Sequence, residues 1–162
     1  MHSRIIEIRN GRPFSAEETK NGVMDVNQIF AWHENQWFDY IVPSESDRDD
    51  DIEWFKTRLD GVLTRDGDRL VFSQEDYNAY VEKYVHHLKE VACDITPEIF
   101  YPVKQTELEK IASFTEHFDF FIYNEDEGDV MPIKEWLMST GTYHADDDGR
   151  VFYIGKIWDY HL

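Results

Sequence analysis

His86 has a carboxylate one helical turn away on either side, at Glu82 and Glu90. On a helix this i, i+4, i+8 spacing aligns the three side chains on one face, and a histidine beside a carboxylate is a workable metal pair or acid–base couple. They lie off the apolar stripe of their segment, where a line of charges is ordinarily a solvated face, and the H-E-x-x-H arrangement of zinc enzymes is missing. Two further carboxylates interrupt apolar runs: Asp39 in Trp37-Phe38-Asp39-Tyr40-Ile41-Val42 and Asp119 in Phe118-Asp119-Phe120-Phe121-Ile122-Tyr123. An acid in such a run is either a buried functional group or a solvent-facing residue between inward aromatics, and alternation favours the second. Asp39, Asp119, His86 and Glu90 are the candidate catalytic residues. No metal site and no cofactor is assigned.

Other chemistry lacks its signature. Cys93 is the single cysteine, placed near Glu90 and Asp94 at the end of an expected helix, where negative charge and the helix dipole disfavour a thiolate. It allows no intramolecular disulfide. The eight glycines form neither a dinucleotide fingerprint nor a phosphate-binding loop, and no G-x-S-x-G elbow occurs. The EF-hand pattern fails in both acidic loops, because Asp148 before Gly149 sets His144 at the first ligand position, and Asn124, Asp126 and Gly128 leave a required acid missing.

Charge is the stronger signal. Thirty-four acids against 16 Lys and Arg give −18 over 162 residues. Residues 45–53 carry a net −5, residues 124–129 carry −4 and residues 146–148 carry −3, so 18 residues hold two thirds of the excess. Such clusters attract basic partners and raise association rates. Their bland alternative is that acids at a helix start complement its dipole and acids in loops maintain solubility. Asp47, Asp49, Asp50, Asp51, Glu125, Asp126, Glu127, Asp129, Asp146, Asp147 and Asp148 are the candidate contacts to a basic protein. Direct binding of nucleic acid or anionic membrane is disfavoured, since both need Lys and Arg to neutralise phosphate.

The elements that must position these residues follow from periodicity and punctuation. Residues 3–9 read as a first strand, 37–42 and 118–123 as two more, and 150–159 as an interior strand with both faces apolar. In that last segment Val151, Tyr153, Gly155 and Ile157 are expected on one face and Phe152, Ile154, Lys156 and Trp158 on the other. Ser46 or Asp47 caps a helix carrying Ile52, Phe55 and Leu59, which Gly61 stops. Asp66-Gly67 turns a hairpin between 62–64 and 69–72. Ser73 caps the clearest helix, 74–95, with Tyr77, Tyr80, Tyr84, Leu88 and Val91 on its stripe. Thr106 with Glu109 suggests another helix, and Pro132 opens a short one with Ile133, Trp136 and Leu137.

The fold class expected is α+β: residues 1–162 as a single domain, with a mainly antiparallel or mixed sheet of five to six strands and three to four helices. A cytoplasmic, soluble protein is expected, because the amino terminus lacks a signal-peptide h-region and no apolar run spans a membrane. The leading functional expectation is a small acidic, non-enzymatic protein-interaction module. Two others accompany it: an acidic nucleic-acid mimic that inhibits a DNA- or RNA-handling enzyme, of the phage or plasmid type, and a small enzyme or ligand-binding domain with an aromatic cleft. The 25 aromatic residues are the reason for the last.

Overall fold

The computed structural model describes residues 3–32, 38–57, 59, 61–98, 100, 106, 120–143 and 150–161. In chain order the elements are β1 (Ser3–Asn10), α1 (Ala16–Asn21), α2 (Val26–Trp32), β2 (Tyr40–Pro43), α3 (Arg48–Thr57), β3 (Leu63–Asp66), β4 (Arg69–Phe72), α4 (Gln74–Cys93), β5 (Phe121–Asn124), β6 (Asp129–Pro132), α5 (Ile133–Tyr143) and β7 (Val151–His161). The seven strands form one mixed sheet in the order β3-β4-β7-β1-β5-β6, with β2 also pairing β7. Among the described residues only the β1–β5 pairing is parallel. The α+β class therefore holds. The sheet exceeds the expected five to six strands by β6, and α1 and α2 join the helices that periodicity had marked. Most of the helix expected after Thr106 lies outside the described residues.

Apolar residues on both sides of β1 explain its central position. Ile6 and Ile8 face a core built with α3, α4 and α5, where Ile52, Phe55, Tyr77, Tyr80, Trp136 and Leu137 are buried. Ile5 faces the opposite core, with Met24, Ile29 of α2, Phe121, Trp158 and Tyr160. A strand covered on both faces shows no clean alternation, and apolar residues at three of the four positions 5–8 are what such burial requires.

The alternation expected along β7 is corrected by a bulge. Ile6 pairs with Ile157 but Ile8 pairs with Ile154, so β7 spends three residues where β1 spends two. One extra residue reverses which face every later side chain meets. Phe152, Ile154 and Ile157 consequently share the first core, while Trp158 and Tyr160 enter the second. The bulge falls at Gly155-Lys156, and a Cβ on Gly155 would lie 2.8 Å from the Phe14 ring and 2.9 Å from Glu7 Oε2.

On its other side β7 is paired twice with a gap between. Val151–Tyr153 pair with β4 and Trp158–His161 with β2. In the gap, Arg48 donates to the carbonyls of Ile154 at 2.8 Å and Gly155 at 2.6 Å, and Ser44 N donates to that of Ile157 at 3.1 Å. These contacts satisfy ladder acceptors that no described strand reaches.

Local signals are met in several places. Ser73 Oγ accepts from Asp76 N at 3.2 Å and caps α4. Asp66 pairs with Arg69, so the hairpin turn is Gly67-Asp68 alone, tighter than the four residues expected. Phe38 and Asp39 precede β2, which begins at Tyr40, and β5 begins at Phe121; both strands are shorter than their apolar runs.

Candidate functional site

The acid-rich start of α3 is built from its cap outwards. Asp47 Oδ1 accepts from Asp49 N at 2.9 Å and Asp50 N at 3.2 Å, closing the helix start. Asp51 turns inward and is 4% exposed; it accepts from Arg4 Nε at 3.0 Å and from Ser44 Oγ at 2.9 Å. It is therefore an internal anchor and is removed from the candidate partner contacts. Asp49 and Glu53 both meet Arg65 of β3, the latter at 2.9 Å. The Arg65 hydrogen bond, and then that of Lys56, holds the Glu53 carboxyl below its ordinary range. Burial alone would lower the Arg65 pKa, but its bonds to Glu53 and Asp49 prevail and raise it.

Glu45, Asp47 and Asp50 remain exposed and, among the described residues, form no ion pair. Asp50 stands one turn before Trp54, which is 39% exposed while its ring packs edge-on against Phe120 at 4.7 Å. A half-exposed tryptophan, held from behind by Phe120 and one helical turn after Asp50, occupies this face of α3.

The second acidic cluster turns out to be a hairpin. Asn124 ends β5 and Asp129 begins β6, and residues 125–128 form the turn. Glu125 holds the buried Arg9 through two hydrogen bonds, one of 2.9 Å, and Glu18 of α1 accepts from the same guanidinium at 2.7 Å. Phe14 lies 4.0 Å beneath it. Arg9 is raised further above its already high pKa by Glu125, and Glu18 is drawn down to about 2, first by Arg9 and then by its bonds within the α1 capping box. Asp126 accepts from Asn10 N at 3.0 Å, whereas Glu127 is exposed. Asp129 is half-buried and accepts from Val130 N at 2.7 Å.

These two clusters do not form a common track. Asp51 meets Arg4 on the α3 face of β1, and Glu125 meets Arg9 on the opposite face, since even and odd positions of a strand alternate. Five residues of strand, about 16 Å, separate the two arginines along the axis. Asp146, Asp147 and Asp148 lie outside the described residues.

The expected catalytic candidates are likewise dispersed. Asp39 is exposed and pairs with His161 Nδ1 at 3.2 Å, at the end of β7. His86 and Glu90 pair with each other at 3.3 Å on α4, with side chains 75% and 62% exposed. Asp119 lies outside the described residues. Among the described residues no group of three or more His, Cys, Asp or Glu is arranged to hold a metal ion.

The least expected feature is Glu7, fully buried in β1. Its carboxylate accepts from Val23 N, Met24 N, Lys156 N and Trp158 Nε1, at 2.9 to 3.2 Å. It thereby ties the α1–α2 connection, the β7 bulge and the second core together. Gly22, at φ 82°, permits this approach; a Cβ there would run into the Trp158 ring and lie 2.8 Å from Glu7 Oε1. Arg4, Glu7 and Arg9, three charges in one apolar strand, are the same signal that had marked Asp39 and Asp119.

A cleft of about 330 Å³ opens at the carboxyl ends of the parallel pair β1–β5. Asn10, Asn124, Asp126 and Thr140 supply polar groups, and Trp136 and Phe152 its apolar wall. Among the described residues, the groups held away from their ordinary pKa, namely Arg9, Glu18, Glu53, Arg65, Glu98 and Tyr123, do not line it. Burial and then the Glu7 charge raise the Tyr123 hydroxyl, and a Thr96 hydrogen bond lowers Glu98. Compared with known proteins, the chain matches no family model, no curated protein and no solved structure. No described helix is long and apolar enough to cross a membrane.

Proposed function

We propose that the protein is a small, acidic, non-enzymatic interaction module that docks a basic partner on the exposed face of α3. The observation that carries this reading is Trp54, half-exposed and braced by Phe120, with Asp50 one turn before it and Glu45 and Asp47 nearby in the chain. Binding surfaces concentrate energy in such aromatic anchors, and the surrounding charges act mainly on encounter rate and choice of partner.

The test is affinity capture from the source cell's lysate at about 50 mM and about 300 mM salt, run with wild type, Trp54→Ala and Asp50→Lys. The expected result is a basic protein held by wild type at low salt, released at high salt because screening shortens the reach of surface charge, and lost in both variants. Equal retention of the same proteins by all three chains would overturn the α3 assignment.

The cleft beside β1 and β5 favours a second reading, a ligand-binding domain. Its volume stands at the small end of the range for small-molecule sites, and its polar groups converge over two aromatic side chains. Saturable shifts of the Thr140 and Asn124 amides on screening small polar metabolites by NMR would favour it over the interaction module.

A further inference from the structure

The gap between β4 and β2 opens into a second cleft, of about 280 Å³. Its lining reverses the sign of the chain. Lys20 of α1, Arg48 of α3 and Lys156 of the β7 bulge bring three cations to it, against one carboxylate, Asp51. That carboxylate is already matched by Arg4 at 3.0 Å, and Arg48 by Asp68 at 3.1 Å. Among the described residues, no carboxylate lies within ion-pair distance of Lys20 or Lys156. Two positive charges are therefore left over at one site of a chain that totals −18.

The neutral groups there also suit an anion. Thr19 and Ser46 line the cleft with hydroxyls, while the Ser44 hydroxyl is committed to Asp51 at 2.9 Å. Ser46 Oγ accepts from Arg4 Nη2 at 2.6 Å, which leaves its hydrogen to be donated elsewhere. Lys156 is positioned rather than loose: its Nζ donates to the Lys20 carbonyl at 2.8 Å and lies 4.6 Å over the Trp158 ring. One carbonyl takes one of its three hydrogens. The start of α3 is closed by Asp47, so the backbone amides there are not the attraction. Donors arrive from α1, from the β2–α3 connection and from β7, three directions that match an anion with several oxygens better than a planar carboxylate.

We infer that this cleft binds a phosphate-like oxyanion, either the free ion or the phosphoryl group of a small molecule, between Lys20 and Lys156. This inference does not depend on the α3 docking face.

The experiment is an amide-resolved NMR titration at about 0.1 M salt, where the Debye length of about 10 Å mutes the distant acids. Inorganic phosphate and glycerol phosphate are the two ligand arms, and sodium chloride at matched ionic strength is the control. The expected result is saturable shifts at Ser44, Ser46, Lys156 and Ile157 that chloride does not reproduce. Loss of one charge-assisted contact weakens binding by about tenfold, so Lys20→Gln and Lys156→Met should each do so. Lys20→Gln is a surface change that should leave the melting midpoint in place, and Lys156→Met keeps an apolar stem over Trp158. Tighter binding of glycerol phosphate points to a phosphorylated small molecule, and tighter binding of inorganic phosphate to the free ion. Shifts reproduced by chloride, no saturation with either ligand, or unchanged affinity in Lys20→Gln would overturn the site.

Discussion

At the scale of single residues, the charges buried in β1 divide into two kinds with different expected behaviour. Glu7 is held by hydrogen-bond donors alone, and a glutamine there would set an amide NH₂ against groups that can only donate. Glu7→Gln should therefore lower stability by about 1–3 kcal/mol, and Glu7→Ala by more, since each orphaned buried donor carries its own desolvation cost. Urea unfolding of both variants checks this; a Glu7→Gln midpoint equal to wild type would show that the cradle has relaxed around the change. Arg9 belongs to the other kind, because its partners titrate. Glu18 has a folded-state pKa of about 2 against an ordinary value of 4.5. A carboxyl whose pKa is depressed by folding stabilises the fold above its unfolded pKa, and that contribution disappears as pH falls from about 4.5 through about 2. Glu18→Gln should consequently flatten the acid limb of the stability curve over that interval and leave the neutral region less stable than wild type. Thermal unfolding at pH 7, 4.5 and 2.5 separates the two outcomes, and parallel curves for variant and wild type would show that Glu18 carries none of the acid sensitivity.

At the scale of elements, the sheet depends on an arginine where a strand is missing. Arg48 fills the gap between β4 and β2 with two hydrogen bonds to β7 carbonyls. Arg48→Met should cost about 1–3 kcal/mol and speed hydrogen exchange at the Ile154 amide, which bonds Asp68 O beside the gap. Arg48→Lys should recover only part of this, because a point-like ammonium cannot span two carbonyls as a planar fork does. Unchanged exchange at Ile154 in Arg48→Met would mean that water replaces the guanidinium without consequence. The same gap marks the limit of what the chain's pattern disclosed. Elements announced by local chemistry were legible: the Ser73 cap and the tyrosine stripe of α4, the Gly67 turn, and Pro132 before α5. What depended on distant partners was hidden. Nothing near Gly155 in the chain signals a bulge, since the Glu7 carboxylate that it packs against lies nearly 150 residues away. Neither the parallel β1–β5 pairing nor the short α1 carries a periodicity long enough to read. The candidate site was half legible for the same reason. The acids around α3 are plain in the sequence, but only their arginine partners separate the internal Asp51 from the exposed Asp50, and Trp54 attracts notice only once its exposure is known.

At the scale of the whole molecule, two electrostatic effects oppose each other. Several arginines are committed to ion pairs: Arg4 to Asp51 and Asp159, Arg9 to Glu18 and Glu125, Arg48 to Asp68, and Arg65 to Asp49 and Glu53. Salt weakens such pairs where they are exposed and affects the buried ones less. Salt also screens the mutual repulsion of the acids left over, and with 34 acids against 16 bases that repulsion runs through the entire fold. The anchoring pairs of Arg4 and Arg9 are mostly shielded from solvent, while Glu45, Asp47, Asp50 and Glu127 stand in it. Screening should therefore relieve more repulsion than it removes attraction, and the melting midpoint should rise by several degrees between about 10 and about 200 mM sodium chloride. Asp50→Lys, which removes a negative charge at an exposed position and adds a positive one, should raise the midpoint at low salt and reduce its salt dependence. A midpoint that falls with salt in wild type would reverse the ranking and make the surface ion pairs the dominant electrostatic contribution. In that case Asp50→Lys should be neutral or destabilising, because its expected gain rests on excess negative charge being the larger cost.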